Sequence, residues 1–139
     1  MAHDPVTIKQ LLAALRGYVE ILEQRGDASS LVHAITDDSR AVARGSLFVA
    51  VKGERVDGHG FIDQAIKAGA VGVIAQSSVP SGALPFVQVA DSRKALGLLG
   101  SRFHGNPSAR LKMIGVTGTN GKTTTTYLCK ALLEGVGQR

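Results

Sequence analysis

The chain is short of cysteine, tryptophan, proline and long apolar runs, and each shortage closes off a class of protein. A single cysteine, Cys129, allows no intramolecular disulfide and no paired-cysteine metal spacing. It falls inside an expected helix, as a small packing residue. His33, His59 and His104 have no partners at ligand spacing, so a metal site built from side chains alone is not expected. No apolar run approaches the roughly 18 residues of a membrane span. The start, Met-Ala-His-Asp-Pro, has neither a basic n-region nor an apolar h-region. No membrane partner and a cytoplasmic location are therefore expected. The net charge is +5 over 139 residues, but Lys and Arg are scattered with no run of five. That argues against a nucleic-acid-binding arm and suits anionic small molecules. With 44% hydrophobic residues, 17 glycines and 4 prolines, the composition is that of a globular α/β protein.

What is present begins with a capping box. Thr7 is followed three residues later by Gln10, and Ile8, Leu11, Leu12 and Leu15 share one helical face up to Gly17. Tyr18–Leu22 is a possible strand and Gln24–Ser30 a polar loop. Leu31–Ile35 reads as one strand entering the turn formers Thr36-Asp37-Asp38-Ser39-Arg40. Leu47–Val51 reads as a buried strand, followed by a long flexible loop, Lys52–Gly60, of the kind that binds ligands. Phe61, Ile62, Ala65 and Ile66 predict a helix closed by Gly69. Strands are expected at Val71–Ala75 and Phe86–Val89, separated by a surface loop. Asp91 caps a helix carrying Leu96, Leu99 and Phe103. Asp91-Ser92-Arg93 repeats the tripeptide Asp38-Ser39-Arg40, but its place at a helix start makes it a cap and not a second site. His104–Ser108 reads as a linker.

After the linker the pattern changes. An apolar run, Leu111–Val116, leads into Gly118-Thr119-Asn120-Gly121-Lys122-Thr123-Thr124 and then a helix-like run to Leu133. Strand, glycine-rich turn, Gly-Lys-Thr and helix form the layout of a phosphate-binding loop. Lys122 would reach the β/γ-phosphates, and the Thr123 hydroxyl would take Mg²⁺. The strict spacing requires glycine where Val116 stands. Helix and strand alternate over 1–106, giving an α/β layer domain; 107–139 then opens a second unit. One strand and one helix cannot cover their own apolar faces, so the chain is expected to stop early in a larger nucleotide-binding domain.

The loop Gly118–Thr124 resembles the ATP loop of the Mur ligases. A second, separated set of residues is similar to the N-terminal domain shared by MurE-type and MurF-type members. In order it comprises Asp38-Ser39-Arg40, Gly45–Ala50, Lys52-Gly53, Asp57–Ile62, Ala65 and Gly69-Ala70. The Gly-Thr-Asn form of the loop is closer to MurE-type ligases.

The resemblance implies a small mixed-sheet α/β domain at 1–106 that binds a UDP-sugar. It implies the first strand, phosphate loop and helix of a truncated ATP-binding domain at 107–139. The implied activity is ATP-dependent amide formation. ATP phosphorylates a carboxylate of UDP-N-acetylmuramoyl-L-alanyl-D-glutamate, and the amine of meso-diaminopimelate or L-lysine attacks the acyl phosphate. This is a step of peptidoglycan precursor synthesis. A carboxylate is a poor acylating agent, and cations such as Lys122 and Mg²⁺ would help it meet the γ-phosphate. Carried over by position, ATP contacts fall on Gly118, Thr119, Asn120, Gly121, Lys122, Thr123 and Thr124. UDP-sugar contacts fall on Asp37 and Ser39, and on the loop residues Glu54, Arg55 and Val56. An arginine at 55 could pair with pyrophosphate. Three alternatives stay open: a MurF-type ligase, a UDP-sugar-binding module without chemistry, and an unrelated P-loop kinase or GTPase with an N-terminal extension.

Overall fold

The structure is a computed structural model that describes residues 6–54, 56–78 and 84–137. The chain divides into two compact units, Met1–Pro107 and Ser108–Arg139.

The first unit is built on a five-stranded sheet. Its strands are β2 (Ile21–Arg25), β4 (Ala34–Thr36), β5 (Ser46–Val49), β6 (Gly72–Ala75) and β7 (Phe86–Val89), in the spatial order β2-β7-β6-β5-β4. Strands β4 to β7 run parallel, and β2 closes one edge antiparallel to β7. A separate antiparallel pair joins β1 (Val6–Thr7) to β3 (Leu31–Val32). The run 31–35 is thus two strands in two sheets, divided at His33, whose amide donates to Gly45 O at 2.9 Å. The strand expected at Tyr18–Leu22 lies later, at Ile21–Arg25.

The central strands β5 and β6 are buried at every position, as parallel strands covered on both faces must be. Their alternate side chains feed two cores. Leu47, Val49 and Ile74 join Ile8, Leu11, Leu15, Val87, Val89 and Leu99 on one face. Phe48, Ala50, Val73 and Ala75 join Ile62, Ala65 and Phe86 on the other. Helices α1 (Ile8–Leu12) and α3 (Ser92–Phe103) therefore serve one face, and α2 (Ile62–Ala68) the other.

The helix ends follow local chemistry. In the Thr7 capping box, Gln10 N donates to Thr7 Oγ1 at 3.2 Å and Thr7 N donates to Gln10 Oε1 at 2.9 Å. Gly69 closes α2 with φ of 105°, a left-handed conformation that favours glycine. Asp91 caps α3 by accepting from Lys94 N at 2.9 Å.

The second unit carries one long helix, α4 (Lys122–Gly135), after a short 3-10 turn at Pro107–Arg110. The strand expected over Leu111–Val116 is not formed: these residues pair with no strand. A strand exists by virtue of a neighbour's N–H and C=O groups, and the described residues of the second unit include no strand to pair with. Its apolar side chains stay wet: Ile114, Leu128 and Leu132 are each more than 60% exposed.

Candidate functional site

A cleft of about 680 Å³ opens in the first unit beyond the C-terminal end of β4 and beside the start of α2. Its walls include Asp37, Asp38, Ser39, Arg40, Val51, Gly53, Val56, Gly58, Phe61, Gln64 and Arg93. The open end of strands in an α/β sheet is where ligands of such folds settle.

The first wall is the turn after β4. Asp38 caps the 3-10 turn Ser39–Ala41 by accepting from Arg40 N at 3.0 Å. The same carboxylate takes the Arg40 guanidinium bidentately, Nε to Oδ1 at 2.9 Å and Nη2 to Oδ2 at 2.8 Å. The side-chain bonds from Arg40, with its backbone amide next, hold the Asp38 carboxyl down to about 2. The Arg40 guanidinium is correspondingly pushed up by Asp38. Ser39 is buried, and its hydroxyl donates to Gln64 Oε1 at 3.3 Å across to α2.

The second wall is the loop after β5. An isolated bridge pairs Lys52 with Asp57, and Gly53 N donates to Val56 O at 3.0 Å. Asp57 caps the next turn by accepting from His59 N at 3.0 Å, and meets His59 Nδ1 at 2.6 Å. The His59 amide first, and then its ring, lower the Asp57 carboxyl below its ordinary range. His59 Nε2 accepts from the amides of Gln76 at 3.0 Å and Ser77 at 3.3 Å. Two donors on Nε2 require the ring proton to sit on Nδ1, facing Asp57. Gln76 is itself a junction. Its Nε2 donates to Ala90 O at 3.1 Å, its Oε1 accepts from Ser92 Oγ at 3.0 Å, and its carbonyl accepts from Gln88 Nε2 at 3.0 Å.

Of the expected UDP-sugar residues, Asp37, Ser39 and Val56 line this one cleft. Glu54 is exposed and is not part of the lining. Arg55 lies outside the described residues. Sequence reasoning missed Gln64, Phe61 and Arg93. Arg93 was hidden by its helix-cap context: Asp91 does cap α3, yet the residue two further on points into the cleft and donates Nη2 to Lys52 O at 3.3 Å.

The second unit holds the glycine-rich turn. Gly118 and Gly121 take φ of 146° and 75°, which explains glycine at both places. Gly121 is the N-cap of α4 and offers no side-chain cap. The first intrahelical bond from the start of α4 runs from Thr125 N to Gly121 O at 2.9 Å. The amides of Lys122, Thr123 and Thr124 therefore lack helical acceptors, as at every helix start. Lys122 Nζ folds back to donate to Gly118 O at 2.6 Å and Thr119 O at 3.5 Å. The unpaired amides at the start of α4 and the Lys122 ammonium beside the turn are the kind of donors that suit an anion.

The parallel sheet with its cleft at the strand ends, and the glycine-turned helix start of the second unit, define an α/β protein. The chain belongs to the Mur ligase family: the model described as "Mur ligase family, catalytic domain" matches residues 31–104. Among curated relatives, the UDP-N-acetylmuramoyl-L-alanyl-D-glutamate--2,6-diaminopimelate ligase of Alkaliphilus metalliredigens is 46% identical over 117 residues, covering 84% of this chain and 24% of that protein. The ligase of the same name from Geobacillus thermodenitrificans is 44% identical over 132 residues, covering 95% and 26%. Among solved structures, a MurF from Acinetobacter baumannii aligns with a TM-score of 0.67 at 34% identity, covering 96% of this chain and 28% of that one. MurF ligase from Thermotoga maritima in complex with ADP aligns with a TM-score of 0.55 at 36% identity, covering 73% and 23%. The chain spans about a quarter of the length of the curated relatives it matches. Among the described residues, no helix is long and apolar enough to cross a membrane.

Proposed function

We propose that this chain is the UDP-sugar-binding domain and ATP loop of a MurE-type ligase. The parent activity would add a diamino acid to UDP-N-acetylmuramoyl-L-alanyl-D-glutamate through an acyl phosphate. The observation that carries this reading is the meeting of the Asp37–Ser39 turn with Val56, from the separate loop after β5, on one cleft at the strand ends. The names of the curated relatives support diaminopimelate as the added amino acid, with L-lysine the alternative. A cytoplasmic location goes with ATP and a UDP-linked precursor.

In this reading Ser39 and Asp37 face the uridine, and Val56 of the second wall flanks the rest of the ligand. Gln64 orients the Ser39 hydroxyl by accepting its hydrogen bond. At the second site the amides of 118–124 receive phosphate oxygens, Lys122 turns from its own carbonyls to the β/γ-phosphates, and Thr123 offers its hydroxyl to Mg²⁺. The T. maritima relative was solved with ADP, which supports a nucleotide here. When bound, ATP with Mg²⁺ supplies the phosphoryl group that makes a carboxylate a competent acyl donor. The 139 residues hold the first two binding elements and about a quarter of the relatives' length, so the chain alone is expected to bind without turnover.

Calorimetric titration tests this. The chain should take up UDP-N-acetylmuramoyl-dipeptide, and Ser39→Ala should weaken that binding while leaving ATP–Mg²⁺ untouched. Failure to bind any uridine nucleotide would remove the first-domain assignment. Amide formation by the chain alone would overturn the binding-only expectation. The solved relatives are MurF proteins, which keeps a MurF-type reading in play; preference for the tripeptide precursor over the dipeptide would favour it.

A further inference from the structure

We propose that Arg93, from the first turn of α3, is the cation that receives the diphosphate of the ligand in the first-unit cleft; this rests on the UDP-sugar reading above. Two arginines of the described residues line the cleft, Arg40 and Arg93. They are not equivalent. Arg40 spends both edges of its fork on Asp38, at 2.8 and 2.9 Å, so its charge is already matched. Among the described residues Arg93 makes a single hydrogen bond, Nη2 to Lys52 O at 3.3 Å. A guanidinium carries five N–H donors in a planar fork that matches phosphate oxygens. No carboxylate of the described residues pairs with it.

Its setting breaks a local rule. Helix starts favour anionic side chains, because the unpaired amides there are already partly positive. An arginine at the second helical position of α3 adds charge of the wrong sign for the helix. Such departures gather where a ligand supplies the compensation. The Asp91 carboxylate already serves the helix amides, so an incoming diphosphate would offset the charge of Arg93.

The turn that carries Arg93 is also held firmly. Ser92 is fully buried, and its hydroxyl is fixed to Gln76 Oε1 at 3.0 Å. Asp91 caps the same turn. The Lys52 carbonyl then ties the guanidinium to the loop that forms the second wall. Positioning of this kind limits the entropy lost when a long side chain engages a ligand.

The test compares UDP, uridine and inorganic pyrophosphate on the whole chain, wild type against Arg93→Gln and Arg93→Lys. Wild type should bind UDP more tightly than uridine. Arg93→Gln should lose about tenfold or more in UDP affinity while uridine affinity stays within about twofold. Arg93→Lys should recover part of the loss, keeping the charge without the fork. Pyrophosphate binding by wild type and not by Arg93→Gln would place the contact on the diphosphate alone; its absence with UDP binding intact shows that the uridine must dock first, and the UDP-to-uridine ratio then decides. UDP affinity within about twofold of wild type in Arg93→Gln overturns the proposal and leaves the cleft reading standing. Equal losses for UDP and uridine also overturn it, because they report a general structural role. A wild-type chain that binds no uridine ligand removes the cleft reading, and this inference with it.

Discussion

The two units contain similar apolar side chains and treat them in opposite ways. In the first, Leu47, Phe48, Val49 and Ile74 are at most 1% exposed, because helices cover both faces of the sheet. In the second, no described residue is buried, and Leu133 is still 40% exposed. Ile114, Val116, Cys129 and Leu133 line a shallow apolar groove along α4 that the unit itself leaves open. The lesson is that apolar sequence supplies the material of a core and neighbouring elements supply the core itself. The first unit has its neighbours within 107 residues. Among the described residues of the second there is a helix and a loop and no strand.

The largest contrast should come from cutting the core. Phe48→Ala should cost about 3–5 kcal/mol of unfolding free energy, read from denaturant melts followed by a first-unit probe. Leu132→Ala, at a site 72% exposed, should stay within about 0.5 kcal/mol. Comparable losses at the two sites would break the contrast. Hydrogen exchange should sharpen it: amides of β5 and β6 should exchange only on global opening, and those of 111–116, which join no ladder, close to unprotected rates. Strong protection there would mean that partners cover the segment in solution.

The binding sites should separate along the same line. Lys122→Met should reduce ATP affinity about tenfold or more and leave UDP-sugar affinity unchanged, as measured by titration. Ser39→Ala should do the reverse with a smaller effect, about 0.5–1.5 kcal/mol for one hydrogen bond. The smallest effect concerns pH. The Asp38 carboxyl is held at about 2 in the folded protein against 3.8 when unperturbed. A depressed folded value stabilises the fold above the unfolded value, and that contribution fades as pH falls from about 4 towards 2. Asp38→Asn should therefore flatten the acid limb of the first unit's stability profile and leave it unchanged near neutrality in slope; an unaltered acid limb would show that the Arg40 pair does not persist in solution.

Local signals were readable in the chain. The Thr7 capping box, the Gly69 terminus, the Phe86–Val89 strand and the Asp91 cap all stand where residue chemistry put them. What escaped were properties set by distant partners. His33 divides a run that reads as one strand because its two halves pair with different sheets. Leu111–Val116 has strand-forming residues and no strand to join. Arg93 reads as part of a cap because nothing local reveals that the loop after β5 comes to meet it. The Ser39–Gln64 bond likewise spans 25 positions and has no sequence signature.

Gln76 joins four neighbours through one residue: the His59 ring, the Gln88 side chain, the Ala90 carbonyl and the Ser92 hydroxyl. Such sharing makes inheritance collective. The His59 and Gln88 side chains meet the main chain of Gln76 and survive its replacement, so a substitution at Gln76 must suit the Ala90 carbonyl and the Ser92 hydroxyl together. A variant library that randomises Gln76 and Ser92 one at a time should return few folded survivors, while joint randomisation should uncover compensated sets.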